Sequence, residues 1–181
     1  MRLRDGLEVD LEHSKRHLLV ASSCNLCGKA SLEALRQLAP PVTSDVAITE
    51  ATLLLLPERM RAAQSVFAAT GGLHAAALFD ADGKLLCVKE DIGRHNAVDK
   101  VIGDALRLDA LPLERAVLLV SGRSSFEIVQ KARMARIPII ASVSAASTLA
   151  IDLASDGRQT LVGFLRDGRY NVYTGESRVR S

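Results

Sequence analysis

Val117-Leu118-Leu119-Val120-Ser121-Gly122-Arg123-Ser124-Ser125-Phe126 is the stretch on which the fold turns. Four apolar residues without a polar break suit a strand covered on both faces, because a parallel strand between two helical layers has no solvent side. A polar loop containing one glycine follows. From Ser125 to Arg136 the apolar residues Ile128, Val129, Ala132 and Ala135 then recur at helical spacing. The order repeats downstream: Ile139-Ile140-Ala141 as strand, Ser142 to Ser147 as loop, Ser147 to Ala154 as helix. Strands alternating with helices in this way require an α/β domain with a parallel centre.

Working outward, His74–Phe79 and Lys84–Lys89 flank Asp80-Ala81-Asp82-Gly83 and predict a hairpin. Asn96 to Leu108 carries Val98, Val101, Ile102, Ala105 and Leu106 on one helical face. Leu161–Leu165 and Tyr170–Tyr173 predict a last hairpin around Asp167-Gly168. Leu56-Pro57 reads as the opening of a helix, with Met60, Ala63 and Phe67 on one face and Gly71-Gly72 at its end. Nearer the start, His17–Ala21 reads as a strand and Leu32–Leu38 as a short helix stopped by Pro40-Pro41. The sum is a mixed sheet with helices on both faces. With no repeat, low-complexity tract or linker, residues 1–181 read as a single domain.

Composition excludes several partner classes. Of 181 residues 48% are apolar, and a domain of this size buries roughly 70% of the surface its unfolded chain exposes. The net charge is +2 and only 3% of residues are aromatic. That is too little positive charge to sheathe a phosphate backbone and too few rings to stack bases, so no nucleic acid polymer is expected. The longest charge-free apolar stretch, Ile137 to Ile151, is broken by Pro138 and several hydroxyl residues, so no membrane span is expected. Met1-Arg2-Leu3-Arg4-Asp5 shows no secretory pattern, and three cysteines do not make a disulfide framework. The expectation is a soluble, cytoplasmic domain with reduced thiols.

The first chemically pointed feature is Cys24-Asn25-Leu26-Cys27-Gly28-Lys29, within a loop spanning residues 22–30. Two thiols at this spacing can share a metal, cycle through a disulfide, or carry sulfur. Structural zinc needs four ligands, and no second pair exists, so no metal site is expected. A redox pair would place its first thiol at a helix N-terminus. Sulfur relay suits a thiol on a loop that visits donor and acceptor in turn, and Lys29 is a nearby cation favouring thiolate. Incidental thiols are the plain alternative. Cys87, in the middle of a strand, reads as a small buried hydrophobe.

Several loops suit an anion. In Ser121-Gly122-Arg123-Ser124, glycine lets the backbone approach a ligand, while hydroxyls, free N–H groups and a guanidinium supply donors. An ordinary capped helix start is the competing reading, and no Walker sequence is present. Ser142 to Ser147 leaves the next strand in the same manner. Such loops at the carboxyl ends of successive strands are where open α/β sheets bind ligands. Gly71-Gly72-Leu73-His74 brings an imidazole into a strand, and Asp91-Ile92-Gly93-Arg94-His95-Asn96 concentrates polar groups ahead of a helix. Phe164-Leu165-Arg166-Asp167-Gly168-Arg169 sets two guanidiniums astride a turn, as surface charge or for anion recognition.

His74–Phe79, Lys89-Glu90-Asp91-Ile92-Gly93-Arg94-His95-Asn96-Ala97-Val98-Asp99-Lys100, Ser121-Gly122-Arg123, the loop with Ser142, Ala145 and Ser147, and the last hairpin together closely resemble the FdhD family of formate dehydrogenase accessory proteins. The resemblance covers nearly the whole chain. It implies a three-layer α/β/α sandwich similar to the cytidine deaminase class, without that class's zinc signature. It also implies a sulfur carrier, a sulfurtransferase with a cysteine persulfide intermediate. Sulfur would come from a cysteine desulfurase and pass to the bis-guanine-dinucleotide form of the molybdenum cofactor before insertion into formate dehydrogenase. Cys24 would be the persulfide carrier, beside Cys27. Phe164 through Arg169 would contact the cofactor, with phosphates near Ser121 to Ser124 and His74 at the same site. The nucleotide-binding core would span residues 70–175, and GDP or GTP would act as a surrogate ligand. A thiol–disulfide oxidoreductase and a nucleotide-binding chaperone without sulfur transfer are the rival readings. Family members carry a β-rich portion ahead of the segment corresponding to Met1, so the chain is expected to be a shortened form. An uncovered sheet edge would then favour a homodimer.

Overall fold

In a computed structural model of the chain, residues 39–181 are described. Cys24 and Cys27, the strand expected at His17 and the helix expected at Leu32 lie outside the described residues. The order is β1 (Ile48–Thr49), α1 (Glu50–Ala62), α2 (Ser65–Thr70), β2 (His74–Phe79), β3 (Leu85–Asp91), α3 (Arg94–Arg107), β4 (Val117–Val120), α4 (Phe126–Met134), β5 (Ile139–Ser142), α5 (Thr148–Asp156), β6 (Thr160–Arg166), β7 (Arg169–Thr174) and β8 (Val179–Arg180). Six strands form one sheet in the order β3-β2-β4-β5-β6-β7, and β1 pairs with β8 in a small parallel ribbon. The central β4, β5 and β6 run parallel, while β2 opposes β4 and β7 opposes β6.

Alternation along the strands decides which layer each residue meets. In β2, Ala76 and Leu78 join Leu118, Val120, Ile140 and Leu161 in a core closed by α3, α4 and α5. Ala75, Ala77 and Phe79 face the other way and join Val117, Leu119, Ile139 and Val162 under Leu53, Leu56 and Met60 of α1. The expected three-layer α/β/α sandwich is therefore what forms. Full burial of β4 explains its unbroken apolar sequence. Arg133, only 1% exposed, ties the start of the described chain to the helical layer: its Nε donates to Ala39 O at 2.6 Å and its Nη1 to Asp156 at 2.9 Å.

The helix expected from Leu56-Pro57 to Gly71-Gly72 is two helices. The first begins earlier, at Glu50, where Thr49 Oγ1 accepts from Thr52 N–H at 3.2 Å, and Pro57 lies inside it. Leu53, Leu56 and Met60 are buried against the sheet, and this packing holds the helix through a residue that lacks a backbone donor. Phe67 belongs to the second helix, whose Val66 and Phe67 N–H groups donate to the Glu90 carboxylate at 3.0 and 2.7 Å. Gly71, at φ 67°, ends that helix in a left-handed cap, as the sequence predicts.

Candidate functional site

Strand direction gathers the predicted residues onto one edge. Because β4, β5 and β6 are parallel, the loops after Val120, Ser142 and Arg166 leave the sheet on the same side. The antiparallel β2 begins there with His74, which pairs with Asp91 at the end of β3. His74, Ser121–Ser124, Ser142–Ser147, the segment after Asp91 and the last hairpin thus line the carboxyl edge of the sheet.

The floor of this edge is stitched by backbone. Ser124 N–H donates to Ala145 O and Ser147 N–H to Ser124 O, both at 3.0 Å, which continues the parallel pairing beyond β4 and β5. Phe164 N–H donates to Ser144 O at 3.0 Å, joining β6 to the same loop. Ser121 N–H donates to Ala75 O at 3.0 Å, and Ser121 Oγ accepts from Ala75 N–H at 2.9 Å. His74 Nδ1 lies 3.4 Å from that hydroxyl. Gly122 is the platform beneath: a Cβ there would sit 3.3 Å from His74 Nδ1 and 3.5 Å from Arg94 Cδ. The absent side chain lets the imidazole and the arginine stem pack closely on the loop, and an added methyl would push the imidazole back by a few tenths of an ångström.

Charge on this edge is unevenly satisfied. Asp91 Oδ1 accepts from Gly93 N–H at 2.8 Å and Asn96 Nδ2 at 3.0 Å, while Oδ2 pairs with Lys100 at 2.6 Å. Lys100 foremost, then the Gly93 and Asn96 donors, hold its pKa at about 2. His95 Nε2 is 2.9 Å from Ser125 Oγ and 3.8 Å from Glu127. Burial, and then the Arg94 charge, lower the His95 pKa, which favours the neutral ring at pH 7. By contrast, Arg94 Nε and Ser124 Oγ are buried without a hydrogen-bond partner. Among the described residues Arg94, Arg123, Arg166 and Arg169 form no ion pair.

The last hairpin builds a cleft of about 290 Å³ lined by Phe164, Arg166, Asp167, Arg169, Tyr170 and Asn171. Phe164 and Asp167, both at φ 53°, and Gly168, at φ 70°, shape its turn, and the Arg166 guanidinium lies 5.7 Å over the Phe164 ring. Leu165 departs from the expected contact set. It is fully buried against the α1 side of the core, so its side chain cannot touch a ligand in the cleft. The register shift between Gly163 and Arg166 turns Phe164 outward and Leu165 inward. Nothing local in the sequence marks Tyr170, Asn171 or Ser125 as part of this edge. Arg94 and His95 sit in a segment whose polar density marked it, but their contacts span the chain and leave no local signal.

A family model described as the FdhD/NarQ family matches residues 2–180. A sulfur carrier protein FdhD from Streptomyces avermitilis is 56% identical over 168 residues, covering 91% of this chain and 60% of that protein. The Streptomyces coelicolor protein of the same name is 58% identical with the same coverage. That of Sulfolobus acidocaldarius is 45% identical over 179 residues, covering 99% of this chain and 68% of its own. A crystal structure described as a formate dehydrogenase accessory protein from Desulfotalea psychrophila superposes with a TM-score of 0.72 at 30% identity, covering 80% of this chain and 61% of that one. The chain thus spans about 60% of the length of the Streptomyces proteins.

Proposed function

The chain belongs to the FdhD/NarQ family, and from that premise we propose that it carries sulfur for a formate dehydrogenase. Cys24 thiolate attacks the outer sulfur of a cysteine desulfurase persulfide. The donor cysteine leaves as thiolate and the sulfur atom moves to Cys24 with no net oxidation. The outer sulfur then passes to the substrate, the bis-guanine-dinucleotide form of the molybdenum cofactor, with the two electrons that reduce it to sulfide drawn from the metal. Cys24 thiolate is regenerated beside Cys27.

The observation that carries this reading is 45–58% identity to proteins named as sulfur carriers. The carboxyl edge supports it: Arg166 and Arg169 suit phosphate, and Phe164 offers a face on which a purine can stack. Incubation with a desulfurase and labelled cysteine should add the mass of one sulfur to the Cys24 peptide, and reductant should remove it. If Cys24→Ala still takes up label and still supports formate dehydrogenase activation, the assignment fails. Calorimetry should show GDP binding, weakened in Arg169→Ala.

A further inference from the structure

Ser125 and Ser147 occupy equivalent places in the fold. Each follows a buried parallel strand at the same distance in the chain, Val120 to Ser125 and Ser142 to Ser147. Each is the cap residue of a 9-residue helix, α4 or α5, and their backbones are nearly alike, at φ −89°, ψ 168° and φ −80°, ψ 154°. Ser147 caps its helix in the ordinary way, its Oγ accepting from Ala150 N–H at 3.3 Å. Ser125 makes no side-chain cap bond. Its hydroxyl lies instead 2.9 Å from Nε2 of His95, in the first turn of α3. The backbone permits a cap at both positions, so the neighbouring imidazole is what draws the Ser125 hydroxyl away. A local rule set aside in this manner is expected where a side chain serves chemistry.

The surroundings suit a nucleophile and its base. Arg94, Glu127, Lys131 and Asp99 are the charges that act on the His95 ring. Burial and then the Arg94 charge favour the neutral ring, which with its proton on Nδ1 accepts the Ser125 O–H at Nε2. Glu127 lies 3.8 Å from the same nitrogen and stabilises the positive charge that the ring gains on taking a proton. The His95 side chain is 34% exposed and Ser125 is half-buried, so a reactant can reach the pair. The first N–H groups of α4 have no acceptor within the helix and, with the helix dipole, favour negative charge beside Ser125.

We propose that Ser125 and His95 form a nucleophile–base pair that accepts the acyl group of an activated ester or thioester. Ser125 Oγ bonds to the carbonyl carbon as its proton passes to His95 Nε2, and the carbonyl electron pair moves onto oxygen. Collapse of that intermediate breaks the bond to the alcohol or thiol, which leaves with the proton from Nε2. Water, activated by the same nitrogen, then hydrolyses the Ser125 ester and frees the acid. Nothing is oxidised or reduced. Neither Cys24 nor a nucleotide takes part, so this activity stands apart from sulfur carriage.

The test incubates the full chain with a fluorophosphonate, which reports reactive hydroxyls, and separately with p-nitrophenyl acetate. Fragment masses should place the phosphonyl adduct, and the acetyl group, on Ser125. Ser147, in the same backbone setting without an imidazole, is the internal control and should stay unmodified, as should Ser125 in urea. His95→Gln retains a hydrogen-bonding side chain but no base, and should slow labelling about a hundredfold or more. Ser125→Ala should abolish labelling at this peptide. If His95→Gln does not fold, the adduct map of the wild-type chain decides alone. A folded wild type without an adduct on Ser125 would overturn the proposal. So would equal labelling of Ser147, or an undiminished rate in folded His95→Gln, since a merely structural contact gives both results. Sulfur uptake is read on the Cys24 peptide, so the two activities stand or fall separately.

Discussion

Replacing Gly163 with alanine tests whether the last hairpin is positioned by one aromatic ring. A Cβ at Gly163 would lie 2.7 Å from Tyr173 Cε2 and 3.2 Å from Ser144 O. Carbon–carbon contacts settle near 3.5–4.0 Å, so the ring must retreat by about 1 Å. The carbonyl cannot yield easily, because it accepts from Phe164 N–H at 3.0 Å and from Ser142 Oγ at 2.7 Å. The half-buried ring packs against the helical core and Gly163 itself is buried, so the insertion behaves as overpacking, with a cost of about 1–3 kcal/mol. In a chain of 181 residues that lowers the melting temperature by about 2–4 °C per kcal/mol. Displacing Tyr173 also moves β7, which carries Tyr170 and Asn171 of the cleft, so GDP should bind more weakly while sulfur uptake at Cys24 is unaffected. Denaturant titration of Gly163→Ala, Tyr173→Val and the double variant separates the ring from the carbonyl. The two changes should couple by about 1–2 kcal/mol, because removing the ring relieves the clash. A Gly163→Ala protein with an unchanged midpoint, or strictly additive effects, would refute the reasoning.

Acid should unfold the protein partly through Asp91 and Asp104. Both are held at about 2, below the ordinary 3.8, by Lys100 in one case and by Arg107 and Lys89 in the other. A depressed carboxylate stabilises the fold above its unfolded pKa, so this contribution is complete above about pH 4 and fades as pH falls toward 2. Asp91→Asn should flatten that limb of a stability–pH curve. Burial pushes the Cys87 thiol up, with Lys89 opposing. Iodoacetamide at pH 8 should therefore label it more slowly than a free thiol, and Cys87→Ser should leave sulfur uptake unchanged, both read by peptide mass. Ser147 Oγ accepts from Ala150 N–H at 3.3 Å at the start of α5, and Ser147→Ala should cost about 1 kcal/mol in a urea titration.

The elements with a clean period were legible residue by residue. β2 and β4 fall where the hairpin signal and an unbroken apolar run place them, and the turn between β2 and β3 forms because Asp80 Oδ1 accepts from Asp82 and Lys84 N–H at 3.0 and 2.8 Å. What stayed hidden depends on contacts distant in the chain. β1 and β8 are two residues each, too short for any period, and pair across the whole described length. Pro57 looked like a beginning because a proline inside a helix is unfavourable alone, and only packing on the sheet overrides that. Leu165 looked ligand-facing until the irregular register near Phe164 reversed the alternation. The partnerless state of Arg94 is invisible in sequence, since a missing contact leaves no pattern.

The backbone ladder that runs on past β4 and β5 has an evolutionary reading. A ligand meeting this edge encounters a surface already rigid, so little ordering entropy opposes its arrival. The path of the main chain is fixed independently of the outward side chains, such as Arg123 and Ser144. Substitutions there can retune which group is recognised, generation after generation, without reshaping the scaffold that presents it.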